Sequence, residues 1–174
     1  VTFNSAGGSA VPGQSIVYGK KAVVPTNPTR AGYNFISWSP DINTIITEGI
    51  NFEAVWEKNP YIALEYDTRL GSSYIPIDKT MKDVYVWEGS YEDNKSDIET
   101  FSNFDYNLKN VSRYTNLANQ FSDKGIYTVV YADKFASTYG AYNNHGLIGV
   151  PYFDIKGLGV TNMERMFYGA SNFN

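Results

Sequence analysis

The stretch "YNFISWS" at residues 33–39 and the later stretch "NFEAVWE" at 51–57 decide the fold of the N-terminal part of this chain. Large apolar and polar side chains alternate in both stretches, which is the two-residue period of a half-buried β-strand. This period places Phe35 and Trp38 on opposite faces of the first strand. The two stretches therefore predict neighbouring strands of a small sheet.

The composition is that of a folded protein with an aromatic surplus. The chain has 174 residues, of which 43% are hydrophobic and 18% charged, with 15 Tyr, 10 Phe and 3 Trp. Tyrosine suits half-buried positions on a pleated sheet, because the ring packs while the hydroxyl stays in water. The net charge of −4 argues against a nucleic-acid partner, since phosphates require clustered Lys and Arg. No apolar run is long enough for a membrane span, so we expect no membrane insertion in this fragment.

The reactive side chains are few. The chain has no cysteine and one histidine, which excludes disulfides and thiolate chemistry. It also lacks a glycine-rich phosphate loop. We therefore expect no cofactor, no bound metal and no catalytic residues.

Residues 1–58 contain a series of short strand and turn patterns. "VTFN" and "QSIVYG" predict two further strands, and "SAGGSAVPG" supplies turn residues. The ordered motifs "VTFNSAGGSAV", "PTNPTRAGYNFISWSP" and "FEAVW" resemble the Listeria–Bacteroides repeat, also called the internalin B-type repeat, a β-grasp-like surface module. The resemblance implies that Trp38 and Trp56 are core residues.

Residues 61–155 continue the β pattern, with the strongest strand signal in "KGIYTVVYAD" at 124–133. "VYVWEGS" and "KGIYTVV" resemble a PKD-like β-sandwich, although the paired aspartates of that family are absent. We interpret residues 91–122 as a polar insertion with a short helix. The apolar residues of that helix follow helical spacing: Val111, Tyr114, Leu117, Ala118 and Phe121.

The last stretch, "GLGVTNMERMFYGASNFN" at 157–174, resembles the first unit of a BspA-type leucine-rich repeat. Helical spacing places its apolar residues on one face with Thr161 as N-cap: Met163, Met166, Phe167 and Ala170. A single solenoid repeat cannot bury both sides, so further repeats of the same chain are expected beyond residue 174. The predicted fold class is mainly β: a β-grasp-like module, a β-sandwich-like module and a short C-terminal leucine-rich-repeat helix.

Acidic and basic side chains give weak site candidates. His145 is expected in a loop or at the surface, because nothing in the sequence brings Ser122 or Ser137 to it as a nucleophile. The acidic run at 88–97 is interpreted as a solvated loop in preference to a calcium site, because its spacing fits a calcium loop poorly. Glu65 and Asp67 share a strand face, as surface acids commonly do.

The stretch "YADKFASTYGAYNNHG" at 131–146 is the best binding candidate. Flat aromatic rings interleaved with amides suit a sugar, which has an apolar face and hydroxyl edges. The predicted ligand-binding residues are Tyr139, Tyr142, Asn143 and Asn144. In the alternative interpretation Tyr131 and Phe135 are core residues and the two later tyrosines decorate a loop.

The patterns favour a non-catalytic extracellular or cell-surface module, a spacer and interaction scaffold of an adhesin. Its expected partner is a protein or glycan on a host or neighbouring cell. Two alternatives remain open: a carbohydrate-binding module that uses the aromatic residues of 131–146, and a virion decoration or fibre protein. An enzyme is the least favoured class.

Overall fold

The computed structural model of the protein describes residues 1–77, 80–135, 137 and 144–173. The chain divides into two compact units, Val1–Asn59 and Pro60–Asn174. Unit 1 contains a three-stranded sheet and unit 2 a five-stranded sheet. The predicted mainly β class is therefore confirmed.

The sheet of unit 1 consists of β1 (Thr2–Asn4), β2 (Tyr33–Ser39) and β3 (Asn51–Lys58) in the order β1-β3-β2. β1 pairs with β3 in parallel, and β2 pairs with β3 antiparallel. The strands predicted at 33–39 and 51–57 are thus confirmed. The strand predicted at "QSIVYG" is wrong: residues 14–19 form no ladder, and both Val17 and Tyr18 are largely exposed.

Aromatic rings run through the core of unit 1 in an unbroken series. Phe52 stacks on Phe3 at 5.4 Å between ring centroids, and Phe3 meets Trp38 edge-on at 5.0 Å. Phe35 continues the series, 5.3 Å from Trp38 and 5.6 Å from Trp56. Large rings bury the most surface per residue, which a unit this small requires. The predicted core role of the two tryptophans agrees with this packing.

A β-bulge in β2 corrects the predicted alternation. The register with β3 runs from Phe35 opposite Trp56 to Ser37 opposite Val55, so Ile36 is an extra residue without a partner. The extra residue shifts the side-chain alternation by one position. Phe35 and Trp38 consequently point to the same side and touch, whereas strict alternation had placed them on opposite faces. Ile36 is left 55% exposed.

Unit 2 is built around one sheet in which every neighbouring pair of strands is antiparallel. The strand order is β6-β5-β7-β4-β8. In chain order the elements are β4 (Ile62–Asp67), β5 (Met81–Glu88), α1 (Tyr91–Thr100), β6 (Tyr106–Val111), β7 (Ile126–Tyr131), β8 (Leu147–Phe153) and α2 (Ile155–Leu158), with 3₁₀ turns at Thr68–Leu70 and Leu117–Asn119.

Both faces of this sheet are covered. On one face the core side chains of the strands pack against those of α2 and of the surrounding turns and loops, among them Ile75, Leu117, Phe135, Leu158 and Met166. On the other face Tyr85 meets Phe101, the residue that ends α1, at 5.4 Å. Sheet covering on both sides explains why β4 has no exposed position and β5 has only two, Lys82 and Glu88 near its ends.

The helix expected within 91–122 lies elsewhere in that stretch. α1 spans Tyr91–Thr100, whereas residues 106–111 form the edge strand β6. Leu117 and Phe121 are buried as their spacing suggested, but a 3₁₀ turn and a loop bury them, and Tyr114 is 76% exposed. The apolar spacing predicted burial correctly except at Tyr114, and it predicted the type of element wrongly.

The C-terminal stretch also departs from the predicted helix. Residues 163–173 form consecutive turns, with Met166 N–H donating to Met163 and Tyr168 N–H to Arg165. Met166 is buried in the core of unit 2, while Phe167 is 43% exposed, so the two do not share a buried face. The short helix is α2, just upstream, and Asp154 is its N-cap in place of Thr161.

Candidate functional site

The predicted ligand-binding residues fall into two groups. Tyr139, Tyr142 and Asn143 lie outside the described residues. Asn144 is described and is completely buried. Its side-chain oxygen accepts from the Tyr74 N–H at 2.9 Å, and its side-chain nitrogen donates to the Tyr74 carbonyl at 2.8 Å. Asn144 thus serves the main chain inside the protein, away from the surface where a sugar contact was predicted. The glycan-binding role of the stretch stays a prediction.

The side chains of two asparagines, Asn116 and Asn144, hold the chain segment 72–74. Asn116 accepts from the Ser73 N–H at 3.0 Å, and Asn144 brackets Tyr74. Next to Asn144, the Gly146 N–H donates to the Ser72 carbonyl at 2.8 Å. Side-chain amides here add to the single antiparallel bridge that this segment makes, between Tyr74 and Asn116. The C-terminal base of the predicted binding stretch is therefore fixed to the body of unit 2.

The N-terminal base of the same stretch is equally fixed. Tyr131 is fully buried and Phe135 is 5% exposed, both in the core of unit 2. The Phe135 N–H donates to the Leu158 carbonyl at 3.1 Å. The core role considered for these two residues is confirmed.

His145 lies beside the turns of the C-terminal stretch. Its Nδ1 is 2.8 Å from Ser171 Oγ, and its carbonyl accepts from the Asn172 side chain at 2.9 Å. The neighbouring hydroxyl is therefore Ser171, which sequence analysis did not select. Among the described residues no carboxylate hydrogen-bonds to His145, so the pair lacks the orienting acid of a catalytic triad. The contact ties the C-terminal turns to the residues that follow Asn144.

The acidic run at 88–97 spans the end of β5 and most of α1, so the predicted solvated loop is wrong. Ser90 is the N-cap of α1 and accepts from the Asp93 N–H at 3.3 Å. Asp97 accepts from both Ser102 and Asn103 after the helix ends. Ser90 and Asp93 stand at the spacing of a capping box, a sequence signal that could have located this helix. The described residues contain no group of three or more His, Asp or Glu that could hold a metal ion.

Glu65 and Asp67 both make structural contacts. Glu65 Oε1 accepts from the Tyr91 N–H at 2.6 Å. The Asp67 carboxylate accepts two hydrogen bonds from the Arg69 guanidinium, at 2.8 and 2.7 Å, and a third from the Arg69 main-chain N–H. The Arg69 side chain holds the pKa of the Asp67 carboxyl below its usual value. Neither acid is a plain surface residue of the kind that the sequence suggested.

Unit 1 has a shallow groove of about 340 Å³ between two extended segments, 9–14 and 23–28. Its lining contains prolines, valines, amides and hydroxyls and no charged side chain. The Gln14 amide spans the two segments, donating to the Val23 carbonyl at 2.7 Å and accepting from the Val23 N–H at 2.9 Å. Such a lining offers shape and hydrogen bonds but no acid, base or nucleophile.

These features define a class: a mainly β protein in two compact units. Among the described residues, the polar side chains considered as site candidates make structural contacts within the protein. Residues 1–59 match the family model of the Listeria-Bacteroides repeat domain, which covers the whole of unit 1. This repeat family is found in surface proteins. Comparisons with curated proteins and with solved structures gave no significant match. Within the described part of the chain, no helix has the length and apolar character to cross a membrane.

Proposed function

We propose that this chain is a non-catalytic part of an extracellular surface protein, in which it acts as a spacer and as an interaction scaffold of the adhesin type. The observation that carries the proposal is the match of unit 1 to a repeat family of surface proteins, together with its closed aromatic core. A module with its own core keeps its shape when it is placed in series with others.

The absence of catalysis is part of this proposal. The His145–Ser171 pair has no orienting carboxylate among the described residues, and the groove of unit 1 has an uncharged lining. The proposal would be overturned if the chain hydrolysed an ester or peptide substrate and Ser171→Ala abolished that activity. Ser122→Ala, at an exposed serine, is the control and should leave any such activity intact. We expect no turnover in either variant or in the parent chain.

The partner proposed is a protein or glycan on another cell. Beads coated with the whole chain should bind intact cells, and pretreatment of the cells separates the two partner classes. Loss of binding after protease treatment indicates a protein, and loss after glycosidase treatment indicates a glycan. Absence of binding to every cell type and to a broad glycan array would leave only the spacer role. The carbohydrate-binding alternative depends on the aromatic residues of 131–146, and the virion alternative depends on the origin of the chain.

Further repeats of the same chain are proposed to pack on the C-terminal turns. Met163, Phe167 and Tyr168 are 49%, 43% and 51% exposed, and Phe167 packs on Phe173 at 4.5 Å between ring centroids. Exposed apolar side chains at such density mark a surface that another segment covers. A longer form of the protein should show slower amide exchange in residues 163–170 than the chain 1–174. Equal exchange rates would contradict this packing.

A further inference from the structure

A loop of unit 1 exposes apolar and basic side chains together. In the segment 17–24, here called the basic ribbon, Val17 and Tyr18 are 72% and 77% exposed, and Val23 and Val24 are 71% and 64% exposed. Lys20 and Lys21 are also exposed. Isolated exposed apolar residues are ordinary, but this number within eight residues is a patch that a monomer seldom leaves uncovered.

The basic ribbon is held in place by main-chain contacts. Lys20 N–H donates to the Val17 carbonyl at 3.0 Å and closes a turn, and Ile46 N–H donates to the Lys20 carbonyl at 2.8 Å. Lys21 pairs with Ile45 across an antiparallel bridge, and Ile45 is itself 56% exposed. Ala22 and Ile46 point into the core and anchor the segment. The exposed side chains are therefore presented by a supported backbone.

The lysines of the ribbon are available for an anionic partner. Neither Lys20 nor Lys21 forms an ion pair with any of the described residues. The nearby acid is Asp41, whose pKa is lowered mainly by the Asn43 N–H and in small part by Lys21. The ribbon thus offers two unpaired positive charges flanked by apolar side chains.

We propose that the basic ribbon is a contact site for an anionic lipid surface. Val17 and Tyr18 would enter the boundary between headgroups and acyl chains, where tyrosine is favoured, while Lys20 and Lys21 meet the phosphates. Side chains with this degree of exposure project from the protein surface. A fluid lipid interface can accommodate them, whereas a folded protein partner would need a pocket of matching shape. The contact is peripheral and goes beyond the proposed spacer role.

Flotation of the whole chain with lipid vesicles tests the proposal. We expect binding to phosphatidylcholine vesicles that contain phosphatidylglycerol, little binding to phosphatidylcholine alone, and weakening as salt is added. Each lysine near such a surface contributes about fivefold in affinity, so Lys20→Gln with Lys21→Gln should weaken binding about 25-fold. Val17→Ser with Tyr18→Ser should reduce binding at least severalfold while the dependence on salt is kept.

Matched controls separate this contact from general charge attraction. Lys82→Gln with Lys156→Gln, two exposed lysines of unit 2 that form no ion pair with the described residues, removes the same charge and should leave vesicle binding unchanged. Unchanged circular dichroism and melting temperature show that each variant is folded. Equal loss in the ribbon variant and the unit 2 variant would overturn the proposal, as would the absence of vesicle binding. The double variant Val17→Ser with Tyr18→Ser is also tested against soluble heparin. If this variant binds both heparin and vesicles as well as the parent does, the ribbon is assigned to a polyanion instead of a lipid.

Discussion

The carboxylate of Glu65, on β4, accepts a hydrogen bond from the main-chain N–H of Tyr91, the first residue of α1. The sheet thereby satisfies one of the N–H groups that a helix leaves free at its start, and it places a negative side chain where the helix dipole favours one. α1 is highly polar and buries few side chains, so this contact and the Ser90 cap set where the helix begins.

Replacing Glu65 by Ala should lower the free energy of unfolding by about 1.5–3 kcal/mol, the cost of losing a charged hydrogen-bond partner. Glu65→Gln keeps an acceptor and should cost less. Glu92→Ala, an exposed acid in the first turn of α1, is the control and should cost less than about 0.5 kcal/mol. Urea unfolding measures all three. Similar losses of unfolding free energy for Glu65→Ala and Glu92→Ala would show that the hydrogen bond from Tyr91 to Glu65 adds no measurable stability.

Truncation of the tryptophans should unfold unit 1. Trp38 is 5% exposed and touches both Phe3 and Phe35, so Trp38→Ala should cost about 3–5 kcal/mol. Trp56 is half-buried and should cost less, although it also loses a hydrogen bond to the Ser5 carbonyl at 2.9 Å. The exposed Ile36→Ala is the control. A fragment of residues 1–59 should fold alone and give the same ranking by thermal unfolding.

Gly8 cannot accept a side chain without displacing Trp56. A Cβ at Gly8 would lie 2.5 Å from a ring carbon of Trp56, well inside van der Waals contact. Gly8→Ala should therefore destabilise unit 1 by about 1–3 kcal/mol. Gly49→Ala is the matched control, because a Cβ there meets no atom within 4 Å. Equal melting temperatures for the two variants would contradict the packing of Trp56.

Two buried tyrosine hydroxyls should differ in their contribution to stability. Tyr66 donates to the Tyr74 carbonyl at 3.0 Å, whereas the Tyr131 hydroxyl is buried beside Tyr66 and makes no hydrogen bond of good geometry to any described residue. Tyr66→Phe should cost about 0.5–1.5 kcal/mol, and Tyr131→Phe should be neutral or stabilising. Denaturant unfolding of both variants provides the comparison. A larger loss for Tyr131→Phe than for Tyr66→Phe would show that its hydroxyl is paired in solution.

Asp67 should make part of the stability depend on acid. Its folded-state pKa is lowered, chiefly by the Arg69 side chain, so the ionised form is favoured by folding. The stabilisation is present at neutral pH and is lost as the pH falls below the usual carboxyl range towards the lowered pKa. Asp67→Asn should be less stable than the parent at pH 7 and should approach it at pH 3. Thermal unfolding between pH 7 and pH 3 measures the difference in stability between the parent and Asp67→Asn. A difference that stays constant over this range would contradict the assignment.

The sequence predicted the elements whose side-chain pattern is strong. β2, β3 and the central strand β7 stand where alternating or continuous apolar residues placed them. The bulge at Ile36 was not predictable, because an extra residue leaves the letter pattern intact and changes only the partner register. β6 and β8 were missed because edge strands carry weak patterns, and the Pro151 of β8 is tolerated only at an edge.

The helical predictions failed, and Asn144 was placed at the surface, for a related reason. Spacing in 111–121 and 161–170 included residues that become buried, such as Leu117, Phe121 and Met166, but turns can bury such residues as a helix does. α1 has little apolar periodicity, and contacts distant in sequence, such as the one with Glu65, support it. Asn144 was selected because it is a polar residue in an aromatic stretch. Its hydrogen-bond partner, the main chain of Tyr74, is 70 positions away in the sequence, so local sequence could not reveal the contact.

The parallel pairing of β1 with β3 determines how unit 1 bears a mechanical load. The chain enters through Thr2 opposite Asn51, and it leaves at Lys58, about 23 Å further along the same direction at about 3.3 Å per residue. Tension between the two ends therefore acts along the strands. The hydrogen bonds that join β1 to β3, including Thr2 N–H to the Ile50 carbonyl at 2.9 Å, are loaded in shear and must fail together. A hairpin pulled from its two ends would instead open one bond at a time.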